Sequence, residues 1–181
     1  MKTITKLILS LCVIFMASGM MAQSPLLKVI EKYSELDNIE YVKVNTADIE
    51  IGDDTDDQVA YLINNLETIR ILEIEKNKKT SDEMYQRANS ILKNDPFIEI
   101  ISIKTEDELI GLYVNKEGDD RILESAFLIK EGKSATIIYM KGDFSLKKIG
   151  GFTKLLNDEF LKNMKVHGEH VYHRDCKKHH E

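Results

Sequence analysis

Residues 97–141 read FIEIISIKTEDELIGLYVNKEGDDRILESAFLIKEGKSATIIYMK, and this stretch decides the fold. Apolar and polar residues alternate with a period of two through four runs, 97–103, 109–115, 122–130 and 135–141, as half-buried strands do. The joints between them are Thr105-Glu106-Asp107, Lys116 to Asp120, and Glu131-Gly132-Lys133. Gly118 and Gly132 allow the positive backbone angles that tight hairpins need. Joints this short force neighbouring strands to run antiparallel, so the stretch predicts a four-strand meander. Some positions are apolar on both parities, as in Phe97-Ile98, Ile100-Ile101 and Ile137-Ile138. That pattern predicts a sheet covered on one face and partly covered or partner-bound on the other.

Upstream of the meander, helix and strand alternate. Ser24 and Pro25 suit an N-cap and first helical position, and Leu26, Leu27, Ile30 and Tyr33 follow at helical spacing. A strand is expected over 39–45, rich in β-branched residues. The acidic run Asp53 to Asp57 invites a calcium reading, but it lacks the alternating oxygen ligands and distant Glu of an EF-hand loop. A helix start capped by Thr55, with Gln58 completing a capping box, is the better reading. Val59, Leu62, Ile63 and Leu66 form its apolar face. A strand over 69–74 and a second capped helix, Thr80 with Glu83, precede Pro96. Downstream, Gly142 to Ser145 is expected to end the sheet, with Asp143 in a turn that caps the next helix. Ser145 would open that last helix, with Leu146, Ile149, Phe152, Leu155 and Leu156 inward. The whole predicts an α+β fold: an antiparallel-rich sheet with a C-terminal four-strand meander and helices packed on it.

The ends carry the address and one candidate site. Lys2 and Lys6 precede an uncharged run from Leu7 to Ala17; small residues follow at Ala17, Ser18 and Gly19, then Met20-Met21-Ala22. This is the order of a secretory signal, too short for a bilayer span of roughly 20 residues. The expected organisation is a signal peptide over 1–22, one domain over 23–160 and a polar His/Cys-rich tail over 161–181, with no membrane-spanning segment left after cleavage. The address is then periplasmic or extracellular. Losing Lys2 and Lys6 takes the formal net charge from −6 to −8. Acid excess argues against nucleic acid and anionic lipid as partners. Cys12 falls within the signal, so Cys176 remains without an internal disulfide partner and could join two chains.

All five histidines lie beyond residue 166, so residues 24–166 hold neither histidine nor cysteine. Triad and Cys-His chemistry and histidine-rich metal sites are thereby excluded from the body of the chain. No nucleophile-elbow, Walker or dinucleotide glycine pattern occurs, and no catalytic residue or organic cofactor is expected. In the tail, His167, His170, His173, Cys176 and His179 recur every third residue. Imidazole nitrogen and thiolate sulfur suit zinc or copper, and neighbouring ligands two or three residues apart can share one ion. The competing reading is a frayed polar terminus.

Four blocks also resemble a known family. They are Ile30 to Ser34 through Tyr41 to Val44, Leu66 to Leu72, Gly111 to Val114 with Glu124 to Ile129, and Ile138 to Leu146. In this order, across roughly residues 26–152, they resemble the bacterial exported domain of unknown function DUF4252. The resemblance implies export, often as a lipoprotein, and no assigned activity. This chain lacks the lipobox cysteine of the lipoprotein members. The absence of catalytic groups and the strands apolar on both parities lead to the expectation of a non-enzymatic exported interaction domain whose partner is an unidentified envelope protein. The alternatives are an envelope metal-binding protein acting through its tail and a carboxylate-based hydrolase.

Overall fold

The computed structural model describes residues 24–37, 39–49, 51, 55–94, 96–150 and 169–172. The meander forms as its joints require. β3 (Phe97–Lys104), β4 (Glu108–Glu117), β5 (Arg121–Glu131) and β6 (Ser134–Ser145) pair antiparallel in sequence order. Gly118 and Gly132 take positive φ, 68° and 49°. Gly132 is the first of two turn residues between β5 and β6, where only glycine turns the chain without strain.

Before the meander the chain folds as α1 (Pro25–Ser34), β1 (Glu40–Asn45), α2 (Asp57–Asn65), β2 (Leu66–Ile74) and α3 (Lys78–Leu92). β2 inserts beside β6 and β1 beside β2; a four-residue strand, β7 (Glu169–Tyr172), pairs with β1. The sheet order is β3-β4-β5-β6-β2-β1-β7. The α+β expectation with its terminal meander holds.

Alternation divides the sheet into two faces. One carries Val42, Ile69, Ile71, Leu112, Val114, Ile138 and Met140 against Val59, Leu62 and Ile63 of α2. The opposite face carries Leu72, Ile74, Tyr113, Ala126, Leu128, Ile137 and Tyr139 against Leu26, Ile30 and Tyr33 of α1 and Met84, Ala88 and Leu92 of α3. Both faces therefore bear packed helices, and the apolar residues on both parities of β2, β4, β5 and β6 have a core to enter, whereas those of β3 beyond Phe97 stay exposed. Lys130 locks the β5–β6 hairpin to the first turn of α3. Its ammonium donates to the Gly132 and Ser134 carbonyls at 2.8 and 3.2 Å and pairs with Asp82 at 3.1 Å. Buried Ser81 donates to the Lys133 carbonyl at 2.8 Å.

Several local expectations are corrected. Asp56, not Thr55, caps α2, its carboxylate accepting the Gln58 N–H at 3.0 Å. Asn77, not Thr80, caps α3 and accepts the Thr80 N–H, so Thr80 lies inside the first turn. Gly142 to Ser145 continue β6 rather than ending it. Asp143 is a strand residue clamped by Arg121, whose Nε and Nη2 each donate to it at 2.7 Å. Ser145 does act as an N-cap, accepting the Lys147 N–H, but the element it opens is a short 3-10 turn over Leu146–Lys148. Phe152, Leu155 and Leu156 lie outside the described residues.

Candidate functional site

β3 stands at the end of the sheet, with β4 on one side and no strand on the other among the described residues. Seven of its eight residues are exposed, Phe97 alone being buried. Four of the seven are isoleucine: Ile98, Ile100, Ile101 and Ile103 are 42, 38, 37 and 47% exposed. The register pairs Ile98 with Val114, Ile101 with Leu112 and Ile103 with Ile110, so these three lie on the α2 face of the sheet. A bulge between Glu99 and Ile101 takes up Ile100 and restores that alignment. The strand thus continues the apolar row of Leu112 and Val114, both fully buried, out to an open border.

An edge strand offers an unpaired row of backbone N–H and C=O groups, and natural edges are commonly guarded by charge, proline or brevity. β3 has eight residues, no proline, and two charges, Glu99 and Lys104. Both fall on the face opposite the isoleucines. Glu99 accepts a hydrogen bond from the Tyr113 hydroxyl at 2.9 Å through Oε2. The Tyr113 ring is laid over Gly111, where a Cβ would stand 2.5 Å from Cε2.

That opposite face also carries a row of bonded polar side chains. The register lines up Arg70, Tyr139, Ala126, Tyr113 and Glu99 across β2, β6, β5, β4 and β3. Tyr139, fully buried, donates to Glu124 at 3.0 Å, and Asn115 donates to the other oxygen of the same carboxylate at 3.3 Å. Arg70 pairs with Glu31 of α1 at 3.1 Å. Burial first, then Glu124, pushes the Tyr139 phenol far above its ordinary value; burial and Glu99 do the same to Tyr113. Phenols held protonated this way donate hydrogen bonds and do not serve as bases at neutral pH. The network ties helix to sheet and strand to strand.

A groove of about 640 Å³ runs beside α1 and α3, lined by Val29, Asp82, Glu83, Gln86, Arg87, Ser90 and Ile91. Asp82 is already committed to Lys78 and Lys130, and hydrogen bonds from these two hold its carboxyl below the usual carboxylate range. Asp120 and Asp143 are likewise displaced downward, the first by Ser145 and the second by Arg121. A general acid at neutral pH needs the opposite displacement.

The tail residues fall elsewhere. His167, His173, Cys176 and His179 lie outside the described residues. His170 lies in β7, where its backbone is opposite Val42 of β1. No group of three or more His, Cys, Asp or Glu positioned to hold a metal occurs among the described residues. No helix among them is long and apolar enough to cross a membrane.

A family model, the domain of unknown function DUF4252, matches residues 13–152. The chain belongs to that family. No curated protein and no solved structure matches it. The DUF4252 match spans the helices α1 to α3 and the strands β1 to β6, and so includes the exposed edge. The signal for that edge is present in the sequence as Ile98 with Ile100-Ile101, apolar on both parities. What the sequence lacks is the strand order that leaves β3 outermost.

Proposed function

We propose that this DUF4252 protein is an exported, non-enzymatic interaction domain that engages a protein partner along β3. The observation that carries the reading is the set of four exposed isoleucines on a strand that borders the sheet among the described residues, with its two charges on the opposite face from Ile98, Ile101 and Ile103. An extended segment laid along β3 would complete its backbone hydrogen bonds and cover Ile98, Ile101 and Ile103 together. The interior polar groups support the non-enzymatic part. Tyr139 donates to Glu124 and Tyr113 to Glu99, and the carboxyls of Asp82, Asp120 and Asp143 are biased toward the ionised form. The signal-like first 22 residues support export.

Two measurements test this. A photo-crosslinking side chain placed at Ile103 in the producing cell should yield a discrete protein adduct, and the same probe at Lys79 on α3 should not. Identical adduct patterns from both positions refute the β3 reading. For export, N-terminal sequencing of the envelope fraction should return a chain beginning at Gln23; an intact Met1 in the cytosol refutes it.

A further inference from the structure

Resting on β3 as the contact strand, we infer that its partner is a second copy of this chain, joined by antiparallel β3–β3 pairing about a two-fold axis at Ile101. A symmetric antiparallel pair needs its axis perpendicular to the sheet, so that one residue faces its own copy and each face continues into the same face. The bulge sets which residues share a face: Ile98, Ile101 and Ile103 on one, Glu99, Ser102 and Lys104 on the other. With the axis at Ile101, Ile101 meets Ile101 of the second copy and Ile103 meets Ile98, twice. Six isoleucines, each now partly exposed, form one continuous row.

The opposite face is matched as well. Ser102 falls opposite Glu99 of the second copy, which places Lys104 diagonal to that same Glu99. Same-face diagonal neighbours lie about 7–8 Å apart, within reach of long side chains. Each copy supplies one acid and one base, so two equivalent Glu99–Lys104 pairs form. Neither side chain has an ion-pair partner among the described residues, and Glu99 uses only Oε2 on Tyr113. The strand limits select this axis. It pairs Phe97 with Lys104, end to end, whereas an axis at Ser102 leaves Ile98 opposite Thr105, beyond β3. One eight-residue strand pair with its flanking side chains falls at the small end of specific interfaces, below about 1,200 Å², so the dimer is expected to be weak and concentration-dependent.

The test uses the full mature chain carrying Cys176→Ser. Sedimentation over roughly 1–200 µM should show a monomer–dimer equilibrium. Adding Ile101→Cys should give a rapid intermolecular disulfide on mild oxidation, since paired antiparallel residues have Cα atoms about 4.5–5.5 Å apart. Ser102→Cys and Lys79→Cys should crosslink far more slowly. Lys104→Glu should weaken the dimer about three- to tenfold by placing acids on the diagonal, and adding Glu99→Lys should restore it. A monomer throughout the range refutes the second copy, while continued adduct formation at residue 103 would leave the broader β3 reading standing. A dimer indifferent to Lys104→Glu, or crosslinked equally from Lys79→Cys, also refutes this interface.

Discussion

Replacing Gly142 by alanine should destabilise the domain out of proportion to the single methyl added. Gly142 lies in β6, a central strand, against the junction where α2 ends at Asn65 and β2 begins at Leu66 without an intervening loop. A Cβ there would stand 2.7 Å from Leu66 Cα and closer still to the Asn65 carbonyl oxygen. Both obstacles are backbone, so neither can swing aside as a side chain tip would. They are further held by the pairing of Leu66 with Gly142 and by the Thr46 hydroxyl, which donates to the Leu66 carbonyl. Overpacking of this kind costs about 1–3 kcal/mol. With a shift of roughly 4 °C per kcal/mol for a domain of this size, Gly142→Ala should lower the melting temperature by about 4–12 °C. Urea unfolding followed by circular dichroism should show a lower midpoint with an unchanged slope. A midpoint equal to that of the wild type would show that the α2–β2 junction yields freely and would refute the argument.

Four further outcomes are expected. Gly111→Ala should displace the Tyr113 ring and its bond to Glu99, at about 1–2 kcal/mol by urea unfolding, less than Gly142→Ala because the obstacle is a side chain. Lys130→Met should loosen the β5–β6 hairpin from α3, costing about 1–3 kcal/mol and increasing amide exchange first over 130–135. Asp82, Asp120 and Asp143 have folded values below their ordinary ones, so their contribution is present above the unfolded value and lost as pH falls through the folded one. The urea midpoint should hold from neutrality to about pH 5 and decline below about pH 4, less steeply in high salt. Tyr139 and Tyr113 have raised values, so their contribution is intact below about pH 10 and lost above it. Their ionisation, followed by tyrosinate absorbance, should coincide with alkaline unfolding rather than precede it.

The elements most legible in the sequence are those whose period and punctuation agree. The four meander strands can be read because a period near two meets glycine at two joints, and α1 because Pro25 sits at its first position. The caps are shifted by one to three residues, because several Asx and hydroxyl side chains compete near each helix start and only geometry selects Asp56 and Asn77. Gly142 reads as punctuation, although its role is to let one backbone approach another; a chain cannot announce which distant segment comes close. Arg121 and Asp143 meet across the β5–β6 pair, a relation that needs register and not spacing. β7 carries four residues, too few for a periodic signal against the histidine-rich run around it. The candidate site is half legible, as apolar residues on both parities, and becomes a border only once β2 and β1 take their places on the far side of β6.

In the proposed β3–β3 dimer, the chain's return to β1 limits how far association can proceed. β7 spans only about 13 Å, yet it lies along the flank that β1 would otherwise present. A molecule with two equivalent sticky flanks polymerises; one with a single sticky flank has its valence exhausted after one union. Removing residues 169–181 would raise that valence to two, and assemblies of the shortened chain should then grow in length with concentration instead of stopping at pairs.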